Sequence, residues 1–135
     1  MALNILVVDD SSITRAMIIK TLKIAGLPLG EIHQAANGQE GLDKLQDNWI
    51  DLALVDINMP VMDGEEMICK VRARTEWENL PIVVVSTEGS QTRIERLQRK
   101  GAQFIHKPFS PETIGEVVSD ITGLDNEPIE ADTDF

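Results

Sequence analysis

The stretch Ile5-Leu6-Val7-Val8-Asp9-Asp10 decides the fold. Four apolar residues, three of them β-branched, run without alternation and stop on two carboxylates. An unbroken run of this length suits a strand covered on both faces, as in a parallel sheet. The pattern recurs at Leu52–Val55 before Asp56, at Ile82–Val85 before Ser86 and Thr87, and at Phe104–Ile105 before His106 and Lys107, with a weaker copy at Ile32–Ala35. Five such runs predict five strands.

Helix-forming stretches lie between them. Ser11 or Ser12 is placed to cap a helix from Ile13 to about Ala25, stopped by Gly26 and Pro28. Asn37 caps Gln39–Asp47, with Leu42 and Leu45 inward. Asp63 or Gly64 opens a helix that turns Met67, Ile68 and Val71 inward, and Ser90 caps Gln91–Lys100, with Ile94 and Leu97 inward and Gly101 as its stop. Ser110-Pro111-Glu112 combines a cap with proline at the first helical position and opens a last helix to about Ile121, stopped by Gly123. Alternating strands and helices imply an α/β domain with a parallel five-stranded sheet and helices on both faces.

Size and charge narrow the function. With 135 residues the chain is long enough for one ordinary domain, and its 42% apolar residues are enough to fill a core. Residues 1–123 are expected to form that domain, and 124–135 a solvated, disordered acidic tail, because Asp125, Glu127, Glu130, Asp132 and Asp134 have no basic neighbour there. The formal net charge is −11, and the residues before the tail still hold 18 acids against 12 bases. Direct nucleic-acid binding needs a basic footprint that this balance does not supply. No apolar run approaches the ~20 residues of a membrane span, so no membrane insertion is expected. The amino terminus, Met1-Ala2-Leu3-Asn4, lacks the basic region of a signal peptide, and the chain has one cysteine, so a cytoplasmic protein is expected.

In an open α/β sheet the binding crevice lies outside the carboxyl ends of the strands. What the strands end in is therefore the chemistry on offer: Asp9, Asp10 and Asp56, the hydroxyls of Ser86 and Thr87, and the ammonium of Lys107. Two carboxylates ~4 Å apart repel by about 4 kcal/mol at an effective dielectric near 20. A divalent cation removes that cost, and an all-oxygen donor set favours Mg²⁺, Mn²⁺ or Ca²⁺ over zinc. An aspartate beside such a cation, a hydroxyl and a lysine suits phosphoryl transfer, with the aspartate as nucleophile and the cations spreading the charge.

Asp9-Asp10, then Asp56-Ile57-Asn58-Met59-Pro60-Val61-Met62-Asp63-Gly64, then Ser86-Thr87, then Lys107-Pro108-Phe109 resembles the receiver domain of two-component response regulators, of the stand-alone CheY-like kind. The resemblance covers about residues 3–122 and joins four separated segments in order. It implies a flavodoxin-like (βα)5 fold with strand order 2-1-3-4-5. It implies that Asp56 accepts a phosphoryl group from the phosphohistidine of a sensor histidine kinase or phosphotransfer protein. Asp9, Asp10, Asp56 and the backbone carbonyl of Asn58 would hold Mg²⁺, with Mn²⁺ as a substitute. Lys107 would pair with the phosphoryl oxygens, Ser86 would be the switch hydroxyl, and Phe104 would be the switch aromatic, where the family often has tyrosine. The Lys107–Pro108 bond would be cis. Asn58 and Glu88 stand where the family tunes hydrolysis; neither is a bulky apolar shield, so a short-lived phosphoryl group is expected. The output would be a change of protein-binding surface at helix 4, strand 5 and helix 5, read by an unnamed downstream protein. On this reading the chain is a signalling module and not an enzyme, limited to self-catalysed phosphotransfer and autodephosphorylation. No DNA-binding or enzymatic output domain follows residue 123, as in a single-domain regulator or a piece cut from a longer one.

The remaining features have plainer readings. Arg93, Arg96, Arg99 and Lys100 fall at i, i+3, i+6 and i+7, a basic stripe that is either a solvated face or a surface for an acidic partner. His33 and His106 read as structural strand residues, Cys69 as inert, and Met17, Met59, Met62 and Met67 as packing. Trp49 and Trp77 precede strands 3 and 4, at the end of the sheet away from the carboxylates. Competing functions are a pseudo-receiver adaptor that never takes phosphate and a Mg²⁺-dependent phosphatase working through an aspartyl phosphate. Haloacid-dehalogenase-type phosphatases carry an Asp-x-Asp pattern after the first strand, whereas Asp9 and Asp10 are adjacent. A flavodoxin-type FMN protein would place a phosphate loop where these two carboxylates stand.

Overall fold

The computed structural model describes residues 2–123, so the expected acidic tail lies outside the described residues. Five parallel strands, β1 (Leu3–Val8), β2 (Leu29–Ala35), β3 (Leu52–Val55), β4 (Ile82–Ser86) and β5 (Ala102–His106), form one sheet of order β2-β1-β3-β4-β5. Five helices alternate with them: α1 (Ser12–Ile24), α2 (Gly38–Asp47), α3 (Gly64–Arg72), α4 (Gln91–Arg99) and α5 (Pro111–Thr122). This is the expected flavodoxin-like architecture.

The inner strands are apolar apart from Asn4 of β1 and Ser86 of β4, because each feeds two cores. On one face Leu6 and Val8 of β1, Ala53 and Val55 of β3, and Ile82 and Val84 of β4 pack with Leu45 of α2, Met67, Ile68 and Val71 of α3 and Leu97 of α4. On the other, Ile5 and Val7, Leu52 and Leu54, and Val83 and Val85 pack with Ile18 and Leu22 of α1 and Ile114 and Val118 of α5. Fully burying one such side chain contributes ~1.5–3 kcal/mol.

The helix starts follow the expected caps. Ser11, Asn37, Asp63, Ser90 and Ser110 each accept a hydrogen bond from the backbone N–H three residues on, and Pro111 opens α5. Gly26, Gly101 and Gly123 end helices at positive φ. Val61, in the β3–α3 loop, also has positive φ, 69°. The Lys107–Pro108 bond is cis, as the resemblance implies.

The structure extends four strands beyond the expected runs, β4 by Ser86 at its end and three others at their starts. β1 starts at Leu3, β2 at Leu29 and β5 at Ala102. β2 pairs only with β1, so it is an edge strand whose polar residues Glu31, His33 and Gln34 need not be covered. A short 3-10 helix, Thr75–Trp77, was not foreseen; the Arg74 guanidinium lies 4.5 Å over the Trp77 ring. Met17, expected to pack, is instead exposed on α1 beside exposed Ile13. Among the described residues no helix is long and apolar enough to cross a membrane.

Candidate functional site

The strand order reverses between β1 and β3, so the crevice at their carboxyl ends receives Asp9 from one and Asp56 from the other. The ladder continues one residue past each strand. The Asp9 N–H donates to the Ala35 carbonyl (3.0 Å) and the Asp56 N–H to the Val8 carbonyl (2.9 Å). Both side chains are therefore launched from backbone that cannot shift without breaking the sheet.

Asp9 is almost fully buried. Its Oδ1 accepts from the Ser11 N–H (2.9 Å) and its Oδ2 from Lys107 Nζ (2.9 Å). Lys107 Nζ also stands 3.5 Å from Asp56 Oδ2, while Asp56 Oδ1 accepts from the Ile57 N–H (2.8 Å). Lys107 is itself fixed to β4, its N–H donating to the Ser86 carbonyl (3.0 Å). Asp10 is the exposed member of the cluster. One carboxylate oxygen each from Asp9, Asp10 and Asp56 lies within 4.8 Å of the others. Ser86 closes β4 fully buried, and its Oγ accepts from the Glu88 N–H (3.2 Å).

Burial pushes the Asp56 carboxyl above its ordinary pKa. Lys107 opposes that rise and Asp9 adds to it, while hydrogen bonds from Ser86 and the Ile57 N–H oppose it. One ammonium among three carboxylates leaves net negative charge in a half-buried crevice. An oxygen-only donor set of this size fits Mg²⁺, which typically takes one or two carboxylates and completes its octahedron with water or phosphate oxygens.

A model of the response regulator receiver domain matches residues 5–119. The chain belongs to the response regulator receiver family. This receiver is 37% identical over 123 residues to a chemotaxis protein CheY homolog of Campylobacter jejuni, covering 90% of this chain and 93% of that one. Among solved structures it is similar to the chemotaxis response regulator CheY4 of Vibrio cholerae, with 35% identity, a TM-score of 0.78, and 90% and 99% of the two chains covered. It is also similar to the CheX-CheY-BeF3-Mg complex of Borrelia burgdorferi, with 27% identity, a TM-score of 0.80 and 88% of each chain covered.

The other expected site residues are dispersed around the receiver's cluster. Phe104 is half-buried in β5, opposite Val84 and edge-on to His106, with ring centroids 4.6 Å apart. Asn58 and Glu88 stand in the β3–α3 and β4–α4 loops, both within reach of Arg93. The basic stripe is not a uniform free surface. Arg93 is engaged by Asp63, Glu65 and Glu88 and Arg96 by Glu65, which leaves Arg99 and Lys100 as its exposed end, with no side-chain partner among the described residues. Arg15 was not singled out from the sequence. Its Nη1 donates to the Asp9 carbonyl (2.6 Å) and its Nε to Gln34 Oε1 (2.9 Å), bracing the start of the Asp9-Asp10 turn. A groove of about 540 Å³ between Trp49 and Trp77 lies at the opposite end of the sheet and shares no residue with the cluster.

Proposed function

We propose that this receiver accepts a phosphoryl group on Asp56 from a phosphohistidine donor, a sensor histidine kinase or phosphotransfer protein, and passes the signal on by changing a protein-binding surface. The observation that carries this reading is the juxtaposition of Asp9, Asp10, Asp56 and Lys107, four charged side chains from three strand ends. An adaptor that never took phosphate would gain nothing from burying two of those carboxylates together. The Borrelia relative is named as a complex with beryllofluoride, a phosphoryl mimic, and magnesium, which supports the same chemistry here.

In the reaction an Asp56 carboxylate oxygen attacks phosphorus. The phosphorus–nitrogen bond of the donor breaks, its electron pair returns to the imidazole, which takes a proton, and an acyl phosphate forms on Asp56. Asp9, Asp10, Asp56 and the Asn58 carbonyl would hold Mg²⁺, which when bound offsets negative charge on the phosphoryl oxygens. Lys107, already 3.5 Å from Asp56, supplies the fixed positive charge on the other side. Incubation with acetyl phosphate and Mg²⁺ is expected to add one phosphoryl mass, and EDTA to abolish the gain; intact mass spectrometry checks this. No gain in mass, together with no binding of beryllofluoride, would defeat the proposal.

The phosphoryl group adds about −1.5 to −2 charge and three acceptor oxygens. Ser86 is drawn toward it, and Phe104 follows into the space behind. Moving a population from 1:99 to 99:1 takes about 5.5 kcal/mol, whereas one hydrogen bond to a charged group supplies ~1.5–3 kcal/mol. Ser86 therefore shares the switch with binding of the downstream protein. Asn58 and Glu88, polar and beside the entry to Asp56, orient water for hydrolysis. Asn58→Ala is expected to lengthen the phosphoryl lifetime several-fold, below the ~10²–10⁴ range of a positioned proton-transfer group because the amide orients water without taking its proton, as followed by loss of the added mass after the donor is removed.

A further inference from the structure

One guanidinium joins the two loops that flank Asp56. Arg93, in the first turn of α4, reaches Glu65 Oε1 with Nε (3.0 Å), Glu88 Oε1 with Nη1 (3.2 Å), Asn58 Oδ1 with the same Nη1 (3.5 Å) and Asp63 Oδ2 with Nη2 (3.4 Å). Its side chain is 24% exposed, and those of Glu65 and Glu88 are 21% and 17% exposed, so the cluster is partly shielded from water. Asn58 and Asp63 belong to the β3–α3 loop, Glu65 to the start of α3, and Glu88 to the β4–α4 loop.

Glu88 lies two residues beyond Ser86, and its N–H is bonded to the Ser86 hydroxyl. A displacement of Ser86 toward a group on Asp56 is passed to Glu88 through that bond, and so bears on the Glu88–Arg93 contact. The guanidinium has four acceptors, so releasing Glu88 and Asn58 leaves it docked on Asp63 and Glu65, and no charge is stranded. A contact present in one of two states biases the equilibrium by its differential free energy.

We propose that Arg93 is a positioning residue that latches the β4–α4 loop in its unphosphorylated arrangement through Glu88 and Asn58. The latch rests on Asp56 being the phosphoacceptor. It makes Arg93 a determinant of how readily the receiver switches and not part of an open docking stripe.

Beryllofluoride is the probe, because it occupies the phosphoryl position without hydrolysing and so separates the latch from any effect of Asn58 or Glu88 on lifetime. Its affinity in the presence of Mg²⁺ is read by fluorine NMR titration for the full chain, and thermal melting confirms that each variant is folded. Arg93→Met is expected to tighten binding about three- to fivefold, the scale of one partly shielded ion pair. Arg93→Lys, a point charge that cannot fork, falls between wild type and Arg93→Met. In a Glu88→Ala background the Arg93→Met effect shrinks severalfold, because the contact it removes is already gone. Arg74→Met, which breaks an ion pair at the other end of the sheet, leaves the affinity unchanged. If Arg93→Met does not fold, Glu88→Ala alone carries the test and is expected to tighten binding to a similar degree. Equal or weaker binding by Arg93→Met, with wild type binding normally, overturns the latch and leaves the phosphoacceptor reading intact. No binding by wild type overturns that reading and the latch with it.

Discussion

Asp56→Asn is expected to take up no phosphoryl group from acetyl phosphate and, without metal, to melt at a higher temperature than the parent chain. The first effect follows from removing the carboxylate that follows β3 and faces Lys107. An amide oxygen is a poor nucleophile, and no acyl phosphate would persist on it. The second follows from the charge balance of the crevice. Burial, reinforced by Asp9, raises the Asp56 carboxyl above its ordinary pKa. The folded chain therefore holds that proton more tightly than the unfolded chain does. Stability is lost as pH rises from the ordinary carboxylate value through the raised one, and the loss persists at neutral pH. The asparagine variant has no such loss. In EDTA its advantage in melting temperature should open as pH climbs out of the ordinary carboxylate range and stay open at pH 7; added Mg²⁺ should narrow it by stabilising the parent's carboxylates. Melting curves across pH, with and without Mg²⁺, check both statements. Equal melting of the two chains at every pH in EDTA would remove the electrostatic account.

Gly64→Ala is expected to be among the most damaging single substitutions in the chain. The Gly64 N–H donates to the Ile57 carbonyl (2.8 Å), which pulls the start of α3 onto the backbone that follows β3. A Cβ at Gly64 would lie inside the contact distance of the Asp56 carbonyl oxygen, 2.9 Å from its carbon and 3.0 Å from the Ile57 Cα. All three atoms are backbone, so no rotamer change relieves the overlap. Core overpacking typically costs ~1–3 kcal/mol, and a clash with a backbone held by the sheet belongs at the top of that range or above it. The damage should fall on the proposed function as well, because the atoms that must give way are those of Asp56, the proposed phosphoacceptor. Denaturant unfolding should show a loss of about 3 kcal/mol, and the variant that remains folded should take up beryllofluoride more weakly than the parent. A fully stable variant with normal uptake would show that α3 can recede without moving Asp56.

The parts of this receiver legible in the sequence are those where burial is uniform. β1, β3 and β4 feed a core on both faces, so each holds an unbroken apolar run, and the first polar residue after each run is a candidate site residue. Asp9, Asp56 and Ser86 could be found that way, because these polar residues sit where the core stops, whereas Lys107 comes one residue after His106 and was legible through the resemblance. β2 was legible only at its end, since an edge strand with exposed Glu31 need not be apolar. The Thr75–Trp77 turn has no periodicity to announce it. Arg93 was legible as a charge on a helix but not as a clamp. Its partners Asn58, Asp63 and Glu65 lie 35, 30 and 28 residues away, and only the stacking of two loops over the sheet edge brings them to one guanidinium. Arg15 was missed for a related reason: the Asp9 carbonyl it braces is backbone, which no pattern of side chains reveals.

The way the strand ends are anchored also sets a separation of clocks. Freeing the backbone of Asp9 or Asp56 means breaking inner-strand ladders, an event on the scale of global unfolding. The β4–α4 loop has no ladder to break. What holds it among the described residues is side-chain chemistry: the Ser86 hydroxyl, the Glu88 carboxylate and the reach of Arg93. Such loops move in nanoseconds to microseconds. On the proposed phosphorylation of Asp56, the carboxylates would stay in place for the lifetime of the fold, while the hydroxyl arm would sample its positions many times over in the life of a single phosphoryl group. A receiver phosphorylated as proposed would report that group as a shifted average, without waiting for any slow rearrangement of its core.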